Sequence, residues 1–367
     1  MHQRPGNVAA ILIAGVVLTL AFSCTTRNAP AAWQVGPLQV PPGQCRSGFL
    51  PVPPGPDGET RIPVTVFNGT KPGPTLALVA GNHGHEYPPI LATERLISQI
   101  DPQKLSGRVI LVHVANMPSY LKRTVYYSPI DGQNLNRVYP GKKDGTISQR
   151  IAYVMTKEVI EACDYLLDLH CGDGNESLRP YSYWMPIGVN PKVDDQARQL
   201  VTAFGVPNVV VDRNRPRDPN ASLYCANTAM TRGKPAMTAE VGGMGVADDE
   251  QSISTIERGC LNVMRHLHMI EGKPDTPAKT TWYEPAQVLS FPKDLAEKAG
   301  LFYPKVQKGQ MVEKDALLGY VTDFFGNKLF ELKSPFAGEV LYIIGTPPTS
   351  AGEPLAFIGA INESPQF

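Results

Sequence analysis

Apolar and polar positions along the chain alternate between two spacings. "TRIPVTVFNG" (60–69), "TLALVA" (75–80), "RVILVHVAN" (108–116), "DYLLDLHC" (164–171), "NVVVDR" (208–213) and "AMTAEVG" (236–242) read as strands, several apolar enough for burial on both faces. Between them, "PPILATERLISQI" (88–100), "SQRIAYVMTKEVIEAC" (148–163), "KVDDQARQLVTAFG" (192–205) and "DDEQSISTIERGCLNVMRHLHMI" (248–270) carry helical patterns. Strands alternating with amphipathic helices predict an open α/β sheet with helices on both faces. Ligands of such sheets collect beyond the carboxyl ends of the strands.

After about residue 275 the helical period stops. Short β-type runs punctuated by glycine predict a small all-β region over 276–367. Two stretches there, from Val306 to Val321 and from Ala337 to Gly359, look alike and resemble the barrel-sandwich hybrid of biotinyl and lipoyl carriers. Neither Lys328 nor Lys333 has the flanking residues that lysine-modifying enzymes read, so a carrier role is disfavoured. The expected division is a signal segment over 1–24, a Pro-rich linker leading into the fold over 25–58, an α/β domain over 59–275 and the β domain over 276–367.

Composition narrows the function classes. A chain of 367 residues with 42% hydrophobic content can bury a sizeable core. Lys+Arg and Asp+Glu are both 34, so no excess of charge points to a nucleic acid or an anionic membrane surface as partner. Arg4, the apolar run from Val8 to Phe22 and the small, polar residues after it form the three-part pattern of a secretory signal. Export is therefore expected. Cys24 directly after the run resembles the lipidated first residue of a bacterial lipoprotein, giving an expected membrane attachment; Phe22 is bulky where such signals carry a small residue. A cleaved signal without lipid and an uncleaved anchor are the other readings. The remaining cysteines, at 45, 163, 171, 225 and 260, form an odd set without a C-x-x-C pair, so neither a thiolate zinc site nor a redox dithiol is indicated.

The chemistry concentrates in "GNHGHE" (81–86), directly after "TLALVA". A strand ending in a glycine-rich turn lets His83 and Glu86, three residues apart, converge on one metal ion. His170 near the end of "DYLLDLHC" offers a third ligand. Asp168, two residues earlier, projects to the same face and is placed to support it. A mixed histidine and carboxylate set with room for water is a catalytic zinc pattern. His85, His113, His266 and His268 are ordinary surface or core histidines on this reading.

"GNHGHE", "NMPSYLKRTVYYSPIDGQNLNRVYPG" (116–141), "LLDLHCGDGNE" (166–176) and "TAEVGG" (238–243) occur in the order and context of the succinylglutamate desuccinylase and aspartoacylase family, relatives of the zinc carboxypeptidases. The chain resembles that family over roughly residues 60 to 360. The resemblance implies a zinc carboxypeptidase-like mixed sheet and one zinc ion per chain, held by His83, Glu86 and His170. It implies Glu240 as the group that activates water, Arg123 as the arginine that polarises the scissile carbonyl, and Asn136 with Arg137 as holders of a substrate carboxylate. Asn134 departs from the aspartate usual at that position; an amide still accepts a hydrogen bond from a ligating histidine, less strongly. The expected activity is hydrolysis of an N-acyl amino acid or a similar small amide bearing a carboxylate. A zinc carboxypeptidase or cell-wall peptidase, and a non-catalytic binding protein on the same fold, are the alternatives.

Overall fold

The computed structural model describes residues 1–2, 32–295 and 299–363. Cys24 and residues 3–23 of the signal-like segment lie outside the described residues. From Ala32 onward the chain forms one compact unit.

Its frame is a mixed sheet of 13 strands. Four apolar runs sit side by side in it and share one direction: Ser106–Val112, Lys71–Ala80, Tyr165–His170 and Ala236–Glu240. Residues 75–80 are buried, as a strand covered on both faces requires. Helices Tyr87–Gln99 and Pro191–Phe204 both pack against Glu250–His266, and Cys225–Met230 packs against the helical turns of Met155–Ile160. The start of Pro191–Phe204 is fixed by Asn190, whose side chain accepts from the backbone N–H groups of Lys192 and Val193, and its end by Gly205 in the left-handed conformation.

One expectation is corrected. The segment read as a linker over 25–58 contains the strand Gln44–Gly55, paired with Gly58–Asn68 at the end of the large sheet. Pro51, Pro53 and Pro54 lie in that strand, and an outermost strand tolerates them because half of its N–H groups need no partner. The β region expected after 275 is present and joins the large sheet: Thr281–Ser290 pairs in parallel with Asn208–Val211, and Pro354–Asn362 and Gly338–Ile344 extend the same sheet. Ala299–Pro304, Leu317–Thr322, Lys328–Lys333 and Pro348–Ser350 form a separate antiparallel sheet of four strands. None of Cys45, Cys163, Cys171, Cys225 and Cys260 is in a disulfide.

One buried cation ties the outer hairpin to the helical layer. Arg150, 1% exposed, donates to the carbonyls of Pro53, Gly58 and Gly145 and to Asp57 Oδ1 at 2.7–2.8 Å. Arg150→Ala strands those acceptors and is expected to cost about 2–4 kcal/mol in a urea unfolding experiment.

Candidate metal centre and active site

The turn after Lys71–Ala80 is shaped by two glycines. Gly81 has φ of +72°, and a Cβ there would stand 2.8 Å from Val114 Cα; at Gly84 it would stand 2.1 Å from the Tyr120 nitrogen. Only glycine lets the chain fold back this closely, and the fold-back brings His83 over Glu86. Glu86 caps the helix Tyr87–Gln99, whose prolines occupy the first turn where an N–H has no helical partner. His170 ends a strand that pairs in parallel with both Lys71–Ala80 and Ala236–Glu240, so the three strands deliver their carboxyl ends to one place.

There His83, Glu86 and His170 converge, with exposures of 8%, 2% and 2%. One donor atom from each lies within 4.8 Å of the others. His83 Nδ1 is 2.7 Å from Glu86 Oε1, and His170 Nδ1 is 2.8 Å from Glu86 Oε2. The other ring nitrogens are engaged from behind: His83 Nε2 is 3.1 Å from Asn134 Oδ1, and His170 Nε2 is 3.1 Å from Asp168 Oδ1. Oxygen acceptors on both Nε2 atoms place the protons there and turn the Nδ1 lone pairs toward the carboxylate. Glu86 Oε2 is buried, with His170 Nδ1 as its one close polar contact among the described residues. Two lone-pair nitrogens and a carboxylate, brought together at one place, fit a divalent cation, and a His₂–carboxylate set is a catalytic zinc donor set. Burial raises the affinity of the Glu86 carboxyl for its proton, but His170 and His83 outweigh it and hold the group down at about 2. Burial pushes His170 down, and Asp168 and Glu86 outweigh it and push the imidazole well above its usual range.

Asp168, 1% exposed, anchors the support. It accepts from Asn82 Nδ2 at 2.6 Å and Asn136 Nδ2 at 3.3 Å, and Asn82 accepts from the Tyr139 hydroxyl at 2.8 Å. Asn136 stands beside His170 and Asp168. Its amide is buried, with Nδ2 on Asp168 and 3.2 Å from His170 Nε2, and Oδ1 accepts from the Cys225 N–H at 2.7 Å. Its Oδ1 is committed to Cys225, and Nδ2 braces Asp168 beside His170.

Arg123 is not among the residues that converge here. It is exposed, lies in the left-handed conformation at φ of 56°, and borders a groove with Tyr87, Tyr120 and Leu121. Tyr126, three residues on and also left-handed, turns in instead: its ring meets the His83 ring edge-on at 5.7 Å. Arg137 keeps its side chain at the surface of the site, donating to the Asn136 carbonyl at 2.8 Å with its guanidinium 4.6 Å over the Tyr224 ring. It borders a cavity of about 470 Å³ shared with Tyr183, Arg215, Tyr224 and Phe357. Of the aromatic residues at 181, 183 and 184, Tyr183 faces that cavity, while Tyr181 and Trp184 are buried.

Glu240 sits opposite His170 in the strand register. No hydrogen bond or ion pair among the described residues engages its carboxylate. Burial raises its pKa well above the usual carboxylate range, Glu86, Glu176 and Asp168 add to the rise, and His170 opposes it. Sequence reading missed three further groups: Asp173, whose Oδ2 lies 4.0 Å from His83 Nδ1, and the pair Tyr126 and Glu176. For Asp173 and Glu176 the signal was the acidic run "GDGNE" (172–176), one residue beyond His170.

A sequence profile described as the succinylglutamate desuccinylase/aspartoacylase catalytic domain matches residues 72–267. An N-alpha-acetyl-L-2,4-diaminobutyric acid deacetylase from Halomonas elongata is 33% identical over 289 residues, 75% of this chain and 79% of that one. The crystal structure of a succinylglutamate desuccinylase/aspartoacylase from Rhodobacter sphaeroides superposes with a TM-score of 0.75 at 26% identity, covering 87% of this chain and 96% of the other. The product-bound ectoine utilization protein EutE from Ruegeria pomeroyi superposes with a TM-score of 0.75 at 25% identity, covering 88% and 97%. Profile, relative and folds agree with the site geometry, and the chain belongs to the succinylglutamate desuccinylase/aspartoacylase family of amide-hydrolysing deacylases.

Proposed function

We propose that this protein is a zinc-dependent deacylase that hydrolyses the amide bond of a small N-acyl amino acid. The observation that carries the reading is the convergence of His83, Glu86 and His170 at three strand ends with the unpaired Glu240 beside them. The 33% identical relative is by name an N-acetyl amino acid deacetylase, which supports the substrate class.

His83, Glu86 and His170 would hold the zinc ion, with Asn134 and Asp168 fixing the two imidazoles. When bound, zinc supplies Lewis acidity toward the acyl carbonyl and the attacking water. Glu240 takes the proton from the water as the water oxygen bonds to the acyl carbon. It returns that proton to the nitrogen as the C–N bond breaks, and a carboxylic acid and an amine leave. Its raised proton affinity suits a group that must hold a proton between the two steps. Arg137 holds the substrate carboxylate; a guanidinium fork matches a carboxylate in shape and charge.

The test is a panel of N-acyl amino acids, their carboxamides and short peptides, assayed with zinc and after chelation. N-acyl amino acids are hydrolysed, chelation abolishes turnover and zinc restores it. Arg137→Ala raises KM by about 10- to 100-fold on carboxylates and changes little on carboxamides. Activity untouched by chelation removes the zinc role, equal losses on both substrate types remove the role of Arg137, and faster cleavage of peptides than of acyl amino acids replaces the deacylase by a peptidase.

A further inference from the structure

The cavity beside Arg137 has a wall for which the hydrolysis just described has no use. Four neighbouring strands of the large sheet build it: Tyr181–Trp184, Asn208–Val211, Thr281–Ser290 and Pro354–Asn362. Tyr183 stands beside Val210 in the first two, Val288 stands opposite Phe357 in the last two, and all four residues line the cavity. Val210 and Phe357 are buried, and the Tyr183 and Phe357 rings lie 6.2 Å apart. Paired strands with a packed core behind them hold such a surface in place more firmly than a loop does. At about 470 Å³ the cavity is larger than a carboxylate needs and falls in the range of small-molecule sites. It lies next to the metal centre, because Asn136, the residue before Arg137, brings its Nδ2 to 3.2 Å from His170 Nε2.

The charges around the cavity are matched, with one exception. Arg213 places Nε 2.8 Å from Glu284 Oε1 and Nη2 3.5 Å from Oε2. Arg215 Nε lies 2.6 Å from Asp212 Oδ2, and Asp212 Oδ1 accepts from the Asn214 N–H at 3.0 Å. Arg137 forms no ion pair among the described residues; it shares the Tyr224 ring with Arg215, whose guanidinium is 3.9 Å from the ring centre. A substrate therefore finds one open charge here, a cation. A second carboxylate would meet arginines already matched by acids, and an ammonium would meet three arginines and two engaged carboxylates. Either group would give up its water without gaining a partner. An apolar side chain is favoured by leaving water.

An N-acyl amino acid carries its side chain on the same carbon as its carboxylate, so a carboxylate on Arg137 sends the side chain into this cavity. We propose that the cavity is the specificity pocket for the amine half of the substrate and that it selects a bulky, uncharged side chain, aliphatic or aromatic. This rests on the deacylase reading above and names its substrate class. Arg137 holds the carboxylate common to all such substrates, and Tyr183, Val210, Val288 and Phe357 read the side chain.

Steady-state kinetics on the zinc-loaded full chain test the assignment. The reference is N-acetylglycine, which has the carboxylate and no side chain. N-acetyl-L-phenylalanine and N-acetyl-L-leucine exceed it in kcat/KM by about 10- to 100-fold, whereas N-acetyl-L-glutamate and N-acetyl-L-2,4-diaminobutyrate do not exceed it. Val288 is 46% exposed, so the fold tolerates a polar group there. Val288→Glu lowers the phenylalanine-to-glycine ratio by about 10-fold and raises the diaminobutyrate-to-glycine ratio by a similar factor, with zinc content equal to that of the unaltered protein. Calorimetry with free L-phenylalanine and glycine gives the same preference and the same dependence on Val288. No preference over N-acetylglycine, a charged substrate ahead of the apolar ones, or equal losses on all substrates in Val288→Glu overturns the proposal and leaves the deacylase reading standing. Val288-dependent binding of phenylalanine without hydrolysis of any N-acyl amino acid upholds the pocket and overturns the deacylase reading instead.

Discussion

Glu240→Gln keeps its zinc and its substrate affinity and loses turnover by ~10²-fold or more. The amide has the size of the carboxylate but cannot take a proton from water or return one to the departing nitrogen. Its neighbours make the expected loss specific. Glu240 lies opposite His170 in adjacent strands, and no hydrogen bond or ion pair holds its carboxylate, so the substitution breaks no structural contact. It also removes a charge from a site that already holds Glu86, Asp168 and Glu176, which relieves repulsion and favours the folded state. The variant should therefore melt no lower than the unaltered protein while turning over far more slowly. Zinc analysis, steady-state kinetics and a thermal scan on one preparation check this together. Near-normal kcat with full zinc content would remove Glu240 from the proton path.

The same residues show what the sequence carries and what it does not. His83, Glu86 and His170 were legible because each stands at or just past the end of an apolar run, and strand ends in a parallel sheet meet at one edge whatever the loops do. Asp168 followed from the two-residue alternation of a strand, and Asn134 on His83 from the motif resemblance. Arg123 did not follow. Two left-handed residues, Arg123 and Tyr126, reverse the chain between Lys122 and Ser128, and linear spacing gives no sign that the first turns out and the second in. Asn136 and Arg137 are neighbours in sequence but point to different tasks, one spent on buried partners and the other on the rim. Glu176 acquires its place from a pairing with residues 342–344, a contact across more than 160 positions that local pattern cannot reveal. The strand over 44–55 was hidden by its prolines, which mark linkers more often than outermost strands.

His170→Ala empties the metal site and leaves its support without a purpose. The imidazole links the two halves of the centre: Nδ1 lies 2.8 Å from Glu86 Oε2, and Nε2 lies 3.1 Å from Asp168 Oδ1. Without it, two protein ligands remain on one short turn, His83 and Glu86, and two ligands hold zinc far more weakly than three. Occupancy in purified protein should fall from about one zinc per chain to under about a tenth, and turnover by about 10³-fold or more. Asp168→Asn should lie between this variant and the unaltered protein, lowering zinc affinity by about 10- to 100-fold, because it weakens the hydrogen bond that orients His170 and removes no ligand. Stability gives a second readout. Zinc that binds only the folded chain raises the melting temperature of the unaltered protein, and the same addition should leave His170→Ala unmoved. In the variant, Asp168 keeps Asn82 and Asn136 as donors, so the loss of metal is not a consequence of unfolding around an orphaned charge. Unchanged zinc content in His170→Ala would show that the three side chains meet for another reason, and the zinc-dependent mechanism would fall with them.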